Sequence, residues 1–236
     1  MQIVLMLDMT HSKNRDIQTV PINEETAELI GAYIGDGHLE KSQKRCHYTF
    51  TLTGHKNADE DYLKNYLPRI IKKYFPRVNI KYTYRKRKNG MYLVINNKDL
   101  YTKLIHTFEL RPGSKTKTII IPAKIFEKNK QCINATIRGI FDTDGCFFLD
   151  KRKRYKRPYP RISLEITSNA LFEQLKKYLA NDFTLYTKSR KREGRSQSYI
   201  LEIYGHTQLI KWIEEIGFSN HRHKDKVESI ETAKTL

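Results

Sequence analysis

Residues 29–37 of the chain read LIGAYIGDG, and residues 137–145 read IRGIFDTDG. Each stretch has two small residues four positions apart, namely Gly31 with Gly35 and Gly139 with Thr143. Residues at that spacing lie on one face of a helix, and small ones let two helix backbones approach closely. The two stretches are therefore predicted to form helices that pack directly against each other.

The elements that follow the two stretches repeat in the same order, roughly 100 residues apart. After each predicted motif helix come an alternating strand, an amphipathic helix, a basic hairpin and a last helix. In the first copy we predict these elements at 47–54, 58–75, 79–97 and 98–108. In the second copy the corresponding ranges are 161–168, 170–179, 183–205 and 207–218. This order indicates one tandem duplication and not a solenoid.

The repeat also sets the boundaries of the chain's parts. We predict an N-terminal arm at 1–20, a first half at 21–109, a linker at 110–131, a second half at 132–226 and a C-terminal tail at 227–236. Asn23 is the predicted N-cap of the first motif helix, and Gly37 is its predicted C′ residue. Pro68 is expected to kink its helix or divide it in two. Asn89-Gly90 is the predicted turn of the first hairpin.

The net charge indicates the class of partner. Among 236 residues, 44 Lys and Arg face 26 Asp and Glu, which gives a formal charge of +18, and 11% aromatic residues argue against a disordered basic tail. A polyanion is expected to bind, nucleic acid first and an anionic membrane second. No run reaches the ~20 apolar residues of a membrane span, residues 1–9 do not resemble a signal peptide, and three cysteines without CxxC spacing indicate no zinc ribbon or disulfide framework. An intracellular protein, in the cytoplasm or an organelle, is predicted.

Two aspartates carry the predicted chemistry. Asp36 and Asp144 each stand one residue before a motif glycine, so packing of the two helices would bring their carboxylates together. The negative end of the helix dipole disfavours a carboxylate there, and the two carboxylates repel each other. A divalent cation relieves both effects, and Mg²⁺ suits oxygen ligands that leave room for waters and phosphate oxygens. The pair therefore predicts a metal site suited to phosphodiester hydrolysis.

With these motifs the chain resembles the LAGLIDADG homing endonucleases in their single-chain form with two motif copies. The first copy keeps the leucine, the first glycine, the last aspartate and the last glycine, but it has Ile34 and Gly35 where the family name has Asp and Ala. The second copy keeps Gly139, Asp142, Asp144 and Gly145. The resemblance covers about residues 24–226, and it includes two similar basic segments after the last helix of each half.

The resemblance implies an α+β fold, a tandem pseudo-two-fold duplication of αββαββα halves with saddle-shaped antiparallel sheets and the two motif helices at the interface. It implies a monomer that cuts both strands of a long, asymmetric double-stranded DNA site with divalent metal. By motif position, the implied metal ligands are the carboxylates of Asp36 and Asp144 and the carbonyls of Gly35 and Thr143. Mg²⁺ is the expected cofactor, and Mn²⁺ or Ca²⁺ would also fit the site.

The resemblance further implies polar or basic catalytic residues around the metals. One position, at the end of the second strand, maps to Gly54-His55 and Ser168-Asn169. His55 is the predicted catalytic residue there, because Gly54 has no side chain. The other position, a lysine after the last helix of each half, maps to Lys115 and Lys224.

Basic and polar side chains on the hairpins and strands are predicted to face DNA. Lys and Arg at hairpin ends can follow phosphates, while alternate side chains of a β-ribbon can read the major groove. The basic candidates are Arg85, Lys86, Arg87, Lys88, Arg154, Lys156, Arg157, Arg161, Lys188, Arg190, Lys191, Arg192 and Arg195. The outward-facing candidates are Thr49, Thr51, Thr53, Ser163, Glu165, Tyr92, Asn96, Glu202 and Tyr204.

Some alternatives stay open at the level of sequence. The same fold would also serve an RNA-splicing maturase acting on structured intron RNA, or a DNA-binding regulator that does not cleave. An intron-encoded or free-standing enzyme is favoured over an intein, because no protein-splicing domain is recognisable beside the repeat. Asp142 is expected to pack or cap a helix and not to bind metal. His221-Arg222-His223 is expected to face phosphate or solvent.

Overall fold

The computed structural model describes residues 19–42, 47–86, 88–153, 155, 157–191, 193–194 and 196–232. Most of the predicted arm lies outside the described residues, as do five of the predicted DNA contacts: Arg87, Arg154, Lys156, Arg192 and Arg195. Val20, at the end of the predicted arm, is buried, and its N–H donates to Thr107 Oγ1 at 3.2 Å. The described part of the arm therefore packs on the first half.

The elements follow the predicted duplication. The first half comprises α1 (Glu24–Asp36), β1 (Gly37–Ser42), β2 (His47–His55), a π-helical segment (Tyr62–Tyr66), α2 (Leu67–Tyr74), β3 (Ile80–Tyr84), β4 (Gly90–Asn96) and α3 (Lys98–Phe108). After α4 (Ala123–Phe126), the second half comprises α5 (Lys130–Asp144), β5 (Gly145–Asp150), β6 (Tyr159–Ile166), α6 (Asn169–Leu179), β7 (Leu185–Arg190), β8 (Ser198–Tyr204) and α7 (His206–Glu215). A helix α8 (His221–Thr232) follows. The α+β fold with two halves is confirmed.

Each half contains a four-stranded antiparallel sheet, ordered β1-β2-β4-β3 in the first half and β5-β6-β8-β7 in the second. The registers correspond, because Gly37 pairs with Leu52 and Gly145 pairs with Leu164. Alternate residues of the inner strands, such as Phe50 and Leu52, are buried in a core shared by both halves. The opposite face of each sheet carries the polar residues predicted to point outward.

Helices α1 and α5 pack backbone to backbone at the interface between the halves. A Cβ on Gly31 would lie 2.0 Å from Thr136 O, and one on Gly139 would lie 2.3 Å from Glu28 O. No side chain fits at either position, so the two glycines allow the contact that the spacing predicts. Beside it, the buried Glu28 Oε2 accepts hydrogen bonds from Arg138 Nε at 2.9 Å and Nη2 at 2.7 Å.

The motif glycines end their helices in a different way from the one predicted. Gly37 and Gly145 have extended backbones, with φ of −90° and −79°, and each begins a strand. The C′ prediction for Gly37, which implies a left-handed backbone, is therefore wrong, and Gly145 follows α5 in the same extended conformation. A Cβ on Gly37 would lie 2.5 Å from Tyr33 Cα, and one on Gly145 would lie 2.4 Å from Phe141 O. Glycine is needed here because the last helical turn lies directly against the new strand.

Two other local predictions meet the structure differently. Pro68 does divide its helix, because a π-helical segment precedes it and α2 begins at Leu67, where a missing N–H at the helix start does no harm. The first hairpin does not turn at Asn89-Gly90. β3 ends at Tyr84, and Gly90 is already the first residue of β4 and pairs with His55, so the two strands are joined by more than a two-residue turn.

The predicted linker and tail are both structured. Along the linker, Gly113 N–H donates to Leu39 O at 2.9 Å in the first half, and Ile121 N–H donates to Gln174 Oε1 at 2.8 Å in the second. The segment therefore lies against both halves. The predicted tail falls largely within α8, and Val227 packs against the core. This helix is not among the elements predicted from the sequence.

Candidate active site

The C-terminal ends of α1 and α5 meet, and this places the two motif aspartates in one site. Asp36 is the last residue of α1 and Asp144 the last residue of α5. A Cβ on Gly35 would lie 2.0 Å from Thr143 Oγ1 and 3.5 Å from Asp144 Cγ. The glycine at position 35 is therefore what allows Thr143, next to the second aspartate, to pack against the end of the first helix.

The surroundings of both carboxylates disfavour negative charge. Desolvation, and next the nearby Asp36 carboxylate, raise the pKa of Asp144 to about 7. Desolvation also raises the pKa of Asp36, while the Lys115 ammonium opposes the shift. Asp144 still has an exposed face, so the pair lies in a crowded recess that solvent can reach. Such a pair attracts a cation.

Lys115 lies over the end of the first motif helix. Its Nζ donates to the carbonyl oxygens of Ile34 and Gly35, both at 2.6 Å, and also to that of Tyr33. Tyr33 O also accepts the last helical hydrogen bond, from the Gly37 N–H. The carbonyls of this last turn form the negative end of the helix dipole, so a positively charged side chain is favourable there. Burial lowers the pKa of Lys115 to about 8, and the two motif carboxylates oppose that shift.

Arg222 occupies the corresponding place on the second motif helix. Its Nη2 donates to Asp142 O at 2.9 Å, Thr143 O at 2.6 Å and Gly145 O at 3.3 Å. Lys115 and Arg222 each lie seven residues beyond the end of the last helix of their half, α3 or α7. Arg222, and not the predicted Lys224, therefore contacts this helix end. The sequence places the end of the second of these helices at 218, three residues beyond the observed end at Glu215, so the same count from the sequence gives Asp225 and misses Arg222.

His55 is held at the end of β2 by backbone groups. Its Nδ1 accepts from Ala58 N–H at 3.1 Å and from Asn57 N–H at 3.3 Å. Both His55 and Thr167 lie three residues beyond the partner of a motif glycine, so Thr167 is the equivalent in the second half. The predicted position in the second half, Ser168-Asn169, lies at the start of α6: Ser168 caps the helix by accepting from the Leu171 N–H, and Asn169 is its first residue.

Asp142 and His223 lie inside the protein. Asp142 Oδ2 accepts from the N–H groups of Ser219 at 2.7 Å and Asn220 at 3.2 Å, just before α8. This confirms the predicted capping role. Burial raises the pKa of Asp142 to about 8 against those hydrogen bonds. His223 is buried and burial lowers its pKa to about 3, so the prediction that residues 221–223 all face phosphate or solvent is wrong.

The oxygen atoms at the two helix ends are suitable ligands for a hard divalent cation that keeps much of its hydration water. In the part of the chain that the structure describes, no three His, Cys, Asp or Glu side chains form a metal cluster. The two carboxylates therefore leave most positions of an Mg²⁺ ion to waters or phosphate oxygens. A cleft of about 150 Å³ beside Gly35 and Asp144 gives room for them. The carbonyls of Gly35 and Thr143 already accept from Lys115 and Arg222, with a second lone pair left on each.

Comparisons with known proteins agree with this arrangement. The family model described as LAGLIDADG-like domain matches residues 131–217. The crystal structure of I-DmoI in complex with DNA and Mn is similar with a TM-score of 0.59 at 19% identity, covering 84% of this chain and 99% of that one. The homing endonuclease I-WcaI bound to its DNA recognition sequence gives a TM-score of 0.56 at 16% identity, covering 94% and 95%. Residues 131–217 therefore match the LAGLIDADG-like model, and the chain has the fold of these two solved structures.

Other relatives differ in what they are called. Full-length DUF199/WhiA from Thermatoga maritima has a TM-score of 0.56 at 13% identity, covering 94% of this chain and 64% of that one. The replication factor C small subunit of Methanocaldococcus jannaschii is 28% identical over 208 residues, 87% of this chain and 10% of the relative. The replicative DNA helicase DnaB of Rhodothermus marinus is 26% identical over 220 residues, 90% and 22%. The chain thus spans about a tenth to a fifth of these two curated relatives.

The outer face of the first sheet is open and rich in hydroxyl groups. Thr49 pairs with Asn96 and Thr53 pairs with Tyr92, so the predicted outward residues of β2 and β4 share one face. Thr49 Oγ1 donates to Asn96 Oδ1 at 2.7 Å. The described basic residues of the turn, Arg85, Lys86 and Lys88, are exposed.

On the outer face of the second sheet, some of the predicted DNA contacts form ion pairs within the protein. Lys188 Nζ lies 3.1 Å from Glu202 Oε2, and Tyr204 donates to the same carboxylate, which is buried. Arg161 Nε lies 3.2 Å from Asp150 Oδ2, and its guanidinium stacks 4.3 Å above the Tyr204 ring. The other predicted contacts on this half, Ser163, Glu165, Arg157, Arg190 and Lys191, retain solvent exposure. No helix of the described residues is long and apolar enough to cross a membrane.

Proposed function

We propose that the chain is a site-specific endonuclease that hydrolyses one phosphodiester in each strand of double-stranded DNA. The observation that carries the proposal is that Asp36 and Asp144 lie close together at the ends of two helices. The side chain of Lys115 binds one of these helix ends, and that of Arg222 binds the other. Asp36 directly precedes the first strand of one sheet, and Asp144 the first strand of the other. The candidate reacting groups thus lie where two DNA-facing sheets begin.

The residues of the chain have separate parts in this proposal. Asp36 and Asp144 hold the metal, with the Gly35 and Thr143 carbonyls beside them. A bound divalent cation would supply a water of lowered pKa and would stabilise the leaving oxygen. Lys115 and Arg222 fix the carbonyls around the carboxylates and place positive charge where the phosphate becomes more negative.

The sheets supply binding and specificity. Arg85, Lys86 and Lys88 in the first hairpin, and Arg190 and Lys191 in the second, would contact phosphates. The outward side chains of β2, β4, β6 and β8 would read base edges in the major groove. Because both halves lie in one polypeptide with different outward residues, we propose that a monomer recognises an asymmetric site.

A second candidate is a DNA-binding protein on the same fold that does not cleave. The likeness to DUF199/WhiA keeps this candidate, because the fold of this chain is shared with a protein of a different name and does not by itself imply cleavage. Retention of both motif aspartates argues for cleavage. A maturase acting on structured intron RNA stays a prediction, as does an intron-encoded origin, which the exons flanking the gene would reveal.

The experiment incubates the protein and Mg²⁺ with a library of randomised double-stranded DNA and recovers the molecules cut in both strands. Wild type is expected to enrich one asymmetric site. Asp36→Asn and Asp144→Asn should each cut that site about 100- to 1000-fold more slowly while still binding it. Asp99→Asn, which removes an exposed carboxylate from α3, is the matched control and should cut normally. Enrichment of a bound site without cuts would support the second candidate.

A further inference from the structure

Asp59 is a buried carboxylate of the first half that contacts Asn220 and Arg222, which follow the last helix of the second half. It follows β2 and is 6% exposed. Its Oδ2 accepts from the His55 N–H at 2.7 Å, and its Oδ1 accepts from Asn220 Nδ2 at 2.8 Å. Arg222 Nη1 lies 3.3 Å from the same Oδ1. One carboxylate thus contacts three groups, two of which belong to the other half.

The contact with Arg222 fixes a planar group at two edges. Nη2 of the guanidinium donates to the end of the second motif helix, and Nη1 faces Asp59. Nε lies 3.1 Å from His223 Nε2. Because the guanidinium is rigid and planar, holding Nη1 also sets the direction of Nη2. Asp59 therefore determines how the cation meets the carbonyls beside Asp144.

Among the residues that the structure describes, no acid plays this part beside Lys115 in the first half. Asp59 lies four residues beyond His55, and the residue four beyond Thr167, the equivalent of His55, is Leu171. Leu171 is buried and lines the cleft next to Lys115. An ammonium that donates to three carbonyls in one place needs no orientation of a plane. We call the contact between the Asp59 carboxylate and the Arg222 guanidinium the brace. Among the described residues it accompanies Arg222 and has no counterpart at Lys115.

Gly54 shows that the fold leaves space for this brace. A Cβ on Gly54 would lie 3.0 Å from Asp59 Cβ and 3.1 Å from Asp59 Oδ2. A larger residue at the end of β2 would therefore displace the carboxylate. The glycine that offers no catalytic side chain is instead the residue against which Asp59 packs.

We propose that Asp59 is a positioning residue, which holds Arg222 so that hydrolysis of one of the two strands depends on it. The inference rests on the endonuclease function proposed above. Asp59 touches neither the motif carboxylates nor the DNA in this proposal. It acts through Arg222, and its loss should slow the reaction of one strand without weakening binding.

The kinetic test uses the full chain, the recovered site with each strand labelled, and single-turnover conditions. Asp59→Asn should slow cleavage of one strand about 10- to 100-fold, so that a nicked intermediate accumulates, with the other strand and the dissociation constant for DNA unchanged. Arg222→Lys keeps the positive charge but loses the guanidinium nitrogen that faces Asp59, so it should slow cleavage of the same strand as Asp59→Asn. The double variant should be no slower than the more affected single variant. Glu60→Gln, at the exposed neighbouring position, is the control and should leave both strands unchanged.

A second readout does not depend on cleavage. In protein labelled with ¹⁵N-arginine, the Nη signals of Arg222, assigned with Arg222→Lys, should be resolved in wild type and exchange-broadened in Asp59→Asn. Unchanged Nη signals, or equal slowing of both strands, would overturn the proposal. An inactive wild type with broadened Nη signals in the variant would count against the endonuclease function and leave the brace supported.

Discussion

The carbonyl groups at the ends of α1 and α5 are each bound by a positively charged side chain, but the residues that do so differ. On α1 a lysine from the linker reaches three carbonyls, and on α5 an arginine from α8 does so, with an aspartate from the other half behind it. The geometry is two-fold, but the chemistry is not. The two halves therefore share the position of a positively charged side chain at the helix end, but the contacts that hold this side chain differ between them.

The motif helices differ in the same manner. When the glycine pairs of α1 and α5 are superposed, Glu28 corresponds to Thr136 and Arg138 corresponds to Ile30. Glu28 and Arg138 form their buried ion pair only because an α1 meets an α5. Two copies of α1 would bury two unpaired glutamates. The interface is therefore built for unlike partners, and its variants give the strongest tests of the comparison.

The largest effect is expected from Arg138→Met. It leaves the Glu28 carboxylate buried without its charged partner, which should lower the free energy of unfolding by about 3 to 5 kcal/mol. Ile30→Met, at the corresponding position of α1, should lower it by less than about 1.5 kcal/mol. Urea denaturation measures both. Equal losses would show that the two helix faces are interchangeable.

The next effect concerns the backbone contact between the helices. Gly139→Ala puts a methyl group within 2.3 Å of Glu28 O, so the helices must separate, and the free energy of unfolding should fall by about 3 kcal/mol. Gly90→Ala is the control, because its Cβ would meet nothing closer than 3.4 Å. A thermal melt that ranks the two variants equally would contradict the close-packed interface.

Lys115→Met and Arg222→Met compare the two cations directly. Each removes the positive charge from one helix end, and each should slow one strand about 100-fold, equivalent to about 2.7 kcal/mol. The two variants are expected to nick opposite strands of the recovered site, as seen on a denaturing gel with each strand labelled. Nicks in the same strand would show that both cations serve a single reaction.

Much of the fold could be predicted from the sequence, because its signals are local and repeated. The spacing of Gly31 and Gly35 marks a contact face without any knowledge of the partner. The order of strands and helices recurs, so each half supports the assignment of the other. The conformations of Gly37 and Gly145 were missed, since a close approach to the preceding helical turn leaves no mark that distinguishes it from a left-handed cap.

The site was only partly predictable. Asp36 and Asp144 stand out because both occupy the same place in a repeat. The sequence predicts that Arg222 faces phosphate or solvent and does not reveal its contacts, because its partners are backbone carbonyls that any sequence has. Asp59 gave no signal, since it acts across the halves and its equivalent, Leu171, is apolar. Contacts that break the two-fold relation are those that comparison of the two copies cannot reveal.

The smallest effect should separate the two sheet faces. Lys81 is exposed on β3, and among the residues that the structure describes no carboxylate pairs with it, whereas Lys188 on β7 faces Glu202. Lys81→Gln should reduce the slope of log K against log salt by about one, because one counterion fewer is released from DNA. Replacing both Lys188 and Glu202 with Gln removes one charge of each sign, so the slope should stay the same. Fluorescence anisotropy on the recovered site at several salt concentrations measures both. A drop of about one in the double variant would mean that Lys188 leaves Glu202 to bind phosphate, and the second face would then be as open to DNA as the first.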